Sequence, residues 1–130
     1  MGNQGYLIDT NVAIGYIGGD LTEKALNLLD GIIDGQFYIS VINKIELLGF
    51  AGITKNEELK FGELINAANI LGLDEEIVNG TIAIRKQYRS KLPDAIIAAT
   101  AIVHGFTLVT RNIKDFKNMQ GLDMLDPYNL

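Results

Sequence analysis

Tyr6-Leu7-Ile8-Asp9-Thr10-Asn11, at residues 6–11, is a short apolar run that passes directly into three polar residues. Val12–Gly18 follows with a helical pattern, so this region predicts a buried strand, a polar corner and a helix. The same transition recurs at Phe37–Ile42, with a helix expected from about Asn43, and at Phe106–Thr110. Strands without interrupting polar residues are typical of a parallel sheet that is covered on both faces.

Helical patterns lie between these strands. Apolar positions from Leu21 to Ile33 recur at intervals of three and four, which predicts a surface helix that Asp20 caps and Gly35 ends. The remaining predicted elements are helices at Asn56–Ala68, Asp74–Ser90 and Pro93–Val103, and weak strands at Ile70–Leu73 and Met124–Leu125. The helix that starts at Pro93 is apolar nearly all round, so it should lie inside the molecule. Strands that alternate with helices predict an α/β protein, with a central parallel sheet between two helical layers.

The composition limits the possible classes of function. With 130 residues, 48% of them hydrophobic and 21% charged, the chain is expected to form one domain over residues 1–130. Because there is no cysteine, disulfides, thiolate zinc sites, iron–sulfur clusters and cysteine nucleophiles are excluded. Residues 1–5 contain no basic run before an apolar stretch, and no window approaches the roughly 18 apolar residues of a membrane span. We therefore expect a cytoplasmic protein with no membrane partner.

Four acids stand where predicted strands pass into helices or where a helix opens. They are Asp9, Glu46, Asp94 and Asp115. We expect the Glu46 helix to be mostly buried, with its carboxylate pointing into a corner, and Asp115 to lie in a polar loop. Each acid alone has an ordinary explanation as a turn residue, a helix-end charge or a partner of a nearby lysine. Gathered at one sheet edge, however, carboxylates raise one another's pKa values unless a cation lies among them.

The chemistry of the chain favours a hard metal ion at such a cluster. With no cysteine and a single histidine, the available ligands are oxygens, which suit Mg²⁺ or Mn²⁺ better than zinc. A divalent ion can activate water for attack on a phosphodiester, so the indicated reaction class is hydrolytic phosphoryl transfer. The formal net charge of −5 argues against a nucleic-acid partner, but a bound cation would make the site itself far less negative.

Four segments, taken in order, resemble the PIN-domain ribonucleases, and among them most closely the VapC-type toxins of toxin–antitoxin pairs. The segments are Leu7–Asn11, Ile42–Leu47, Leu92–Ala101 and Leu108–Phe116. The resemblance spans nearly the whole chain. It implies a three-layer α/β/α PIN-like fold and an endoribonuclease in which the four matching acids hold one or two Mg²⁺ or Mn²⁺ ions.

The resemblance also implies supporting roles and partners. Asn11, Thr110 and Asn112 match positions that hydrogen-bond the acids or a water at the metal. Proteins of this type act on RNA, and they are usually homodimers neutralised by a cognate antitoxin. Basic residues near the acidic segments are candidates for RNA phosphate contacts: Lys44, Arg111 and Lys114, with a second group at Arg85, Lys86, Arg89 and Lys91.

Three alternatives remain open from the sequence. A signalling receiver also places a carboxylate-bound Mg²⁺ at the ends of parallel strands, although it carries adjacent acids after its first strand. A PIN-fold scaffold could bind RNA or protein without cleavage, which the presence of all four acids disfavours. A housekeeping RNA-processing nuclease would share the chemistry of a toxin, and a small upstream gene for a DNA-binding partner would separate the two.

Overall fold

Five short parallel strands form the centre of the molecule in the computed structural model, which describes residues 5–130. The strands are β1 (Tyr6–Ile8), β2 (Tyr38–Ser40), β3 (Asn69–Leu71), β4 (Thr107–Val109) and β5 (Asp123–Leu125). Their order in the sheet is β3-β2-β1-β4-β5, and every neighbouring pair is parallel. A receiver domain has the order 2-1-3-4-5, so the observed order excludes that alternative. The expectation drawn from the first residues concerns Met1–Gln4, which lie outside the described residues.

Seven helices connect the strands within the described part of the chain. They are α1 (Thr10–Gly18), α2 (Glu23–Asp34), α3 (Val41–Gly49), α4 (Lys55–Ala67), α5 (Glu75–Gln87), α6 (Leu92–His104) and α7 (Ile113–Phe116). Residues Ala95 to Ala101 of α6 are all buried, which confirms the expectation that this helix lies inside the molecule. Gly105 ends α6 with a left-handed backbone, φ 69°, a conformation that glycine adopts without strain.

The two faces of the sheet have separate hydrophobic cores, because successive side chains on a strand point in opposite directions. Leu7 and Leu108 belong to the core that contains α5, α6 and Phe116. Ile8 and Val109 belong to the other core, which α1 to α4 complete. The three-layer α/β/α architecture predicted from the sequence is therefore confirmed.

The strand order places β1 at the point where the chain changes direction across the sheet. The connections from β1 to β2 and β3 move one way, and the connection from β3 to β4 returns to the other side of β1. Ligands of open parallel sheets bind beyond the carboxyl ends of the strands at such a point. Asp9 is the first residue after β1, so it occupies this position.

Three local predictions are corrected by the structure. Thr22, not Asp20, caps α2, because the Thr22 hydroxyl accepts the Ala25 N–H at 3.1 Å. The second strand ends at Ser40, and α3 begins at Val41, because Ser40 and Asn43 form a reciprocal capping box. Asp115 lies in the short helix α7 and not in a loop. Propensity alone missed the last two because β-branched residues open α3 and α7 is only four residues long.

No helix in the part of the chain that the structure describes has the length and apolar character needed to cross a bilayer.

Truncation of Leu108 should test the inner packing of the sheet. Leu108 is fully buried on the interior strand β4. We expect Leu108→Ala to lower the free energy of unfolding by about 2–5 kcal/mol, through lost burial and a residual cavity. Leu59→Ala is the matched control, because Leu59 is 64% exposed on α4 and its truncation should change stability by less than about 0.5 kcal/mol. Equal losses in urea denaturation of the two variants would contradict the assigned core.

Candidate metal centre

Asp9 is the most buried acid of the site, with a side chain that is 6% exposed. Its carboxylate accepts two hydrogen bonds, from the Thr10 backbone N–H to Oδ1 at 2.9 Å and from the Thr110 hydroxyl to Oδ2 at 2.8 Å. Burial raises the pKa of Asp9 above its usual value of 3.8, the two hydrogen bonds oppose that rise, and the charges of Asp94 and Glu46 add to it.

Thr110 lies beside Asp9 because β1 and β4 are neighbours in register. Ile8 pairs with Val109, and the Asp9 N–H donates to the Val109 carbonyl at 2.9 Å. The Thr110 side chain is fully buried, and its hydroxyl also accepts the Asn112 N–H at 3.0 Å. With its acceptor side occupied in this way, the hydroxyl directs its proton toward Asp9. The structure thus brings the Thr110 hydroxyl to one of the four acids.

Asp94 approaches from the first turn of α6. No side chain caps this helix, so Asp94 lies where a negative charge complements the free N–H groups of the helix. The residue is partly buried. Burial raises the pKa of Asp94, the charges of Asp115 and Glu46 raise it further, and Lys91 opposes them. Acids on two other helices, Glu46 of α3 and Asp115 of α7, therefore contribute to the raised pKa of Asp94.

Glu46 and Asp115 are both exposed, and the expectation that the Glu46 helix is mostly buried is wrong. Only Asn43 and Leu47 are buried on α3, and Glu46 lies on the side of this helix that faces solvent and the end of β1. Its Oε1 accepts the hydroxyl of Thr10 at 2.5 Å. The exposure of Glu46 depends on how α3 packs, because a short helix that is rich in apolar residues can still present a charged side chain to solvent.

Thr10 and Asn43 are polar groups of the site that the sequence analysis did not select. The Asn43 amide is fully buried and donates through Nδ2 to the Thr10 hydroxyl at 3.0 Å. Thr10 was visible in the sequence as the middle residue of Asp9-Thr10-Asn11. Asn43 offered only the weaker signal of a Ser-x-x-Asn helix start.

Within residues 5–130, no hydrogen bond joins the side chain of Asn11 or Asn112 to one of the four acids. Asn11 is exposed on α1. Asn112 precedes α7 and makes no side-chain cap, and only its backbone N–H reaches the site, through Thr110. Their supporting roles stay predictions.

The acids of the site suit a hard cation, although their side chains do not surround a common position for one. Each acid offers carboxylate oxygens as ligands, and the charges of Asp9, Glu46 and Asp94 are coupled. Within residues 5–130, however, no three acidic or histidine side chains are close enough to surround one ion. The coupled, partly desolvated acids therefore suit a divalent cation by their chemistry and charge.

The predicted basic residues divide into separate groups. Lys114 lines a cavity of about 320 Å³ together with Arg89, Lys91 and the acids Asp94 and Asp115. Arg111 instead lies over the ring of Tyr128, 4.2 Å from its centre. Lys44 is exposed on α3. The cavity beside Asp94 therefore contains Lys114 from the first group of candidates and Arg89 and Lys91 from the second.

Comparisons with known proteins agree with this architecture. A family model for the PIN domain matches residues 6–122. A protein of Rickettsia felis named Ribonuclease VapC1 is 36% identical in an alignment of length 132. The alignment covers 93% of this chain and 95% of that protein.

Solved structures give the same assignment. A toxin–antitoxin complex from Klebsiella pneumoniae contains a chain with 31% identity and a TM-score of 0.78, covering 97% of this chain and 100% of that one. VapBC2 from Rickettsia felis, solved with a DNA fragment of its promoter, has 22% identity and a TM-score of 0.80 over 92% of this chain and 96% of the other, which shows a shared fold. The match over residues 6–122, together with the VapC relative, shows that this chain belongs to the PIN-domain family and, within it, to the VapC group.

Proposed function

We propose that this chain, folded as one PIN domain, is a metal-dependent endoribonuclease and the toxin of a toxin–antitoxin pair. The observation that carries the proposal is the buried Asp9 carboxylate at the switch point of the sheet, coupled to Asp94 and Glu46. Its relatives named ribonuclease VapC and its structural neighbours in toxin–antitoxin complexes support the same activity. Its RNA substrate would place its action in the cytoplasm.

Asp9, Asp94 and Glu46 are the proposed ligands of Mg²⁺ or Mn²⁺, and Asp115 completes the acidic group beside Asp94. When bound, such an ion supplies charge neutralisation for the phosphoryl oxygens and lowers the pKa of water. The residues of the chain supply the rest. Thr110 and the Thr10 N–H orient Asp9, and the exposed acids face solvent from which RNA approaches.

The cavity beside Asp94 is the proposed place for RNA phosphates. Arg89, Lys91 and Lys114 line it from the α5–α6 connection and from α7. Arg85 braces this connection by donating from Nη1 to the Ser90 carbonyl at 2.6 Å. Cations at this position offset the repulsion between a polyanion and the acids, which explains how a chain of net charge −5 can bind RNA.

An antitoxin is the proposed protein partner, together with a second copy of this chain. A cavity of about 240 Å³ between α1 and α4 offers one surface for an antitoxin tail. Apolar Ile14, Ile17 and Phe61 line it beside Glu57 and Lys60, so an amphipathic segment could bury its apolar side there. A housekeeping nuclease would use the same acids, and a toxin differs from it by growth arrest that the partner relieves.

Cleavage of RNA should require both the cation and the buried acids. We expect purified protein to cut total tRNA or ribosomal RNA with Mg²⁺ or Mn²⁺ and to stop when EDTA is added. Asp9→Asn and Asp94→Asn should each lower the rate by a factor on the order of 100 or more, since ligand charge is lost while side-chain shape is retained. Asp123→Asn is the matched control, because Asp123 is exposed and opens β5 at the opposite edge of the sheet. Metal-independent cutting, or full activity of Asp9→Asn, would refute the proposal.

The raised pKa values predict a distinctive pH dependence of stability. Asp9 and Asp94 hold protons at a higher pH in the folded protein than in the unfolded chain. Without metal, their contribution to the free energy of unfolding is present below the unfolded value of 3.8 and is lost as the pH rises through the raised pKa values. With Mn²⁺, stabilisation should instead grow with pH, because the ion binds the ionised acids.

Urea denaturation between about pH 4 and pH 8 measures both trends. The difference between wild type and Asp9→Asn isolates the contribution of Asp9, and the same comparison with Asp94→Asn isolates that of Asp94. Asp123→Asn should follow the wild-type profile in both conditions. A profile for Asp9→Asn that is parallel to wild type, with and without Mn²⁺, would contradict the assigned metal centre.

The basic cavity predicts how RNA affinity depends on salt. Arg89→Gln, Lys91→Gln and Lys114→Gln should each weaken RNA binding and reduce the slope of log affinity against log salt by about one. Binding is measured with Asp94→Asn as the background and EDTA present, so that RNA is not cleaved. Lys24→Gln, an exposed lysine on α2, serves as the control and should leave the slope unchanged. Equal slopes for all variants would show that RNA does not lie in this cavity.

A further inference from the structure

A chain of hydrogen bonds connects the backbone at the end of β2 to the Glu46 carboxylate. The Ser40 N–H donates to Asn43 Oδ1 at 2.8 Å, and Asn43 Nδ2 donates to the Thr10 hydroxyl at 3.0 Å. The Thr10 hydroxyl then donates to Glu46 Oε1 at 2.5 Å. Three side chains from α1 and α3 therefore form one relay, with residue separations of 33 and 36 in its two long-range bonds.

The direction of every bond in this relay is determined by chemistry. A backbone N–H can only donate, so Ser40 must face the oxygen of the Asn43 amide, which leaves the NH₂ group to face Thr10. A hydroxyl carries one proton. Because Thr10 accepts from Asn43, its own proton is free to donate to the Glu46 carboxyl group.

The burial of the relay differs from one end to the other. Asn43 is fully buried and Glu46 is exposed one turn later on α3. An exposed glutamate with no anchor samples several rotamers, and ordering it is entropically unfavourable. The buried Asn43 amide holds the Thr10 hydroxyl in place, and the hydroxyl in turn holds the Glu46 carboxylate. Thr10 also donates its N–H to Asp9, so this one residue holds both acids.

We propose that Asn43 is a positioning residue which, through the Thr10 hydroxyl, fixes the Glu46 carboxylate in the orientation with which this acid binds the divalent cation. The inference rests on the proposed function of the site. Partners of metal ligands typically contribute a factor of about 10–100 in metal affinity, so the effect should be measurable in binding. A role limited to capping α3 would involve only Ser40 and would leave metal affinity independent of Thr10.

Variants of Thr10 test the relay without touching a ligand or the buried amide. Thr10→Val removes the hydroxyl and keeps the shape, and Thr10→Ser keeps the hydroxyl. We expect Thr10→Val to weaken Mn²⁺ binding about tenfold or more in titration calorimetry, and Thr10→Ser to remain within about twofold of wild type. Thermal unfolding of the metal-free proteins shows whether both variants are folded.

Asn43→Asp provides the second test. The aspartate retains the oxygen that accepts from Ser40, but it presents a second acceptor to Thr10 and draws the hydroxyl proton away from Glu46. Its loss of Mn²⁺ affinity should match that of Thr10→Val. In the double variant the two losses should not add, because both act through the same bond.

The outcomes separate this proposal from the function on which it rests. Wild-type affinity in Thr10→Val, or additive losses in the double variant, would overturn the relay while the nuclease assignment stands. If wild-type protein binds no Mn²⁺ and cuts no RNA, both proposals fail. If Asn43→Asp does not fold, the Thr10 pair decides the question alone.

Discussion

The Asp9 carboxylate is buried beyond the central strand, and the polar arrangement around it follows from the need to stabilise that charge. Transfer of a carboxylate out of water is unfavourable unless it is hydrogen-bonded and paired with a cation. Thr10 and Thr110 supply hydrogen bonds from neutral groups, while Asp94 and Glu46 add repulsion. In the absence of a cation, a raised pKa relieves this repulsion by retaining protons. In the proposed function, a bound divalent ion would relieve the same repulsion at neutral pH, and it would make these acids useful for phosphodiester hydrolysis.

The topology explains why these residues meet although they are far apart in sequence. Because β2, β1 and β4 are adjacent and parallel, the segments that follow these strands all begin at the same edge of the sheet. Asp9, the Ser40–Glu46 segment and Thr110 come from these segments, and the first turn of α6 adds Asp94. Arg89, Lys91 and Lys114 line a cavity together with Asp94 and Asp115. The edge thus places cationic side chains beside two of the acids, an arrangement that suits the proposed binding of a metal ion and a polyanion.

Much of this architecture could be predicted from sequence, because apolar strands and the apolar α6 follow from local composition. The positions of Asp9 and Asp94 also followed, since each acid stands at the boundary of a strongly patterned element. The exposure of Glu46 was not predictable from local pattern, because it depends on how α3 packs. The helix that contains Asp115 was missed because four residues are too few to show a helical pattern. Asn43 had no local signature as a site residue, because its bond to Thr10 joins residues 33 positions apart. Long-range hydrogen bonds of this kind can be identified only from the three-dimensional structure.

The most direct test of the proposed metal centre is the position of Mn²⁺ in a crystal of the protein, located by its anomalous scattering. We expect one principal site at the carboxyl edge of the sheet, with an oxygen of Asp9 and an oxygen of Asp94 among the ligands and Glu46 on the same ion. Protein crystals that contain Mn²⁺ only at other surface acids, or none at saturating concentration, would contradict the claim that cation binding explains the buried charge of Asp9.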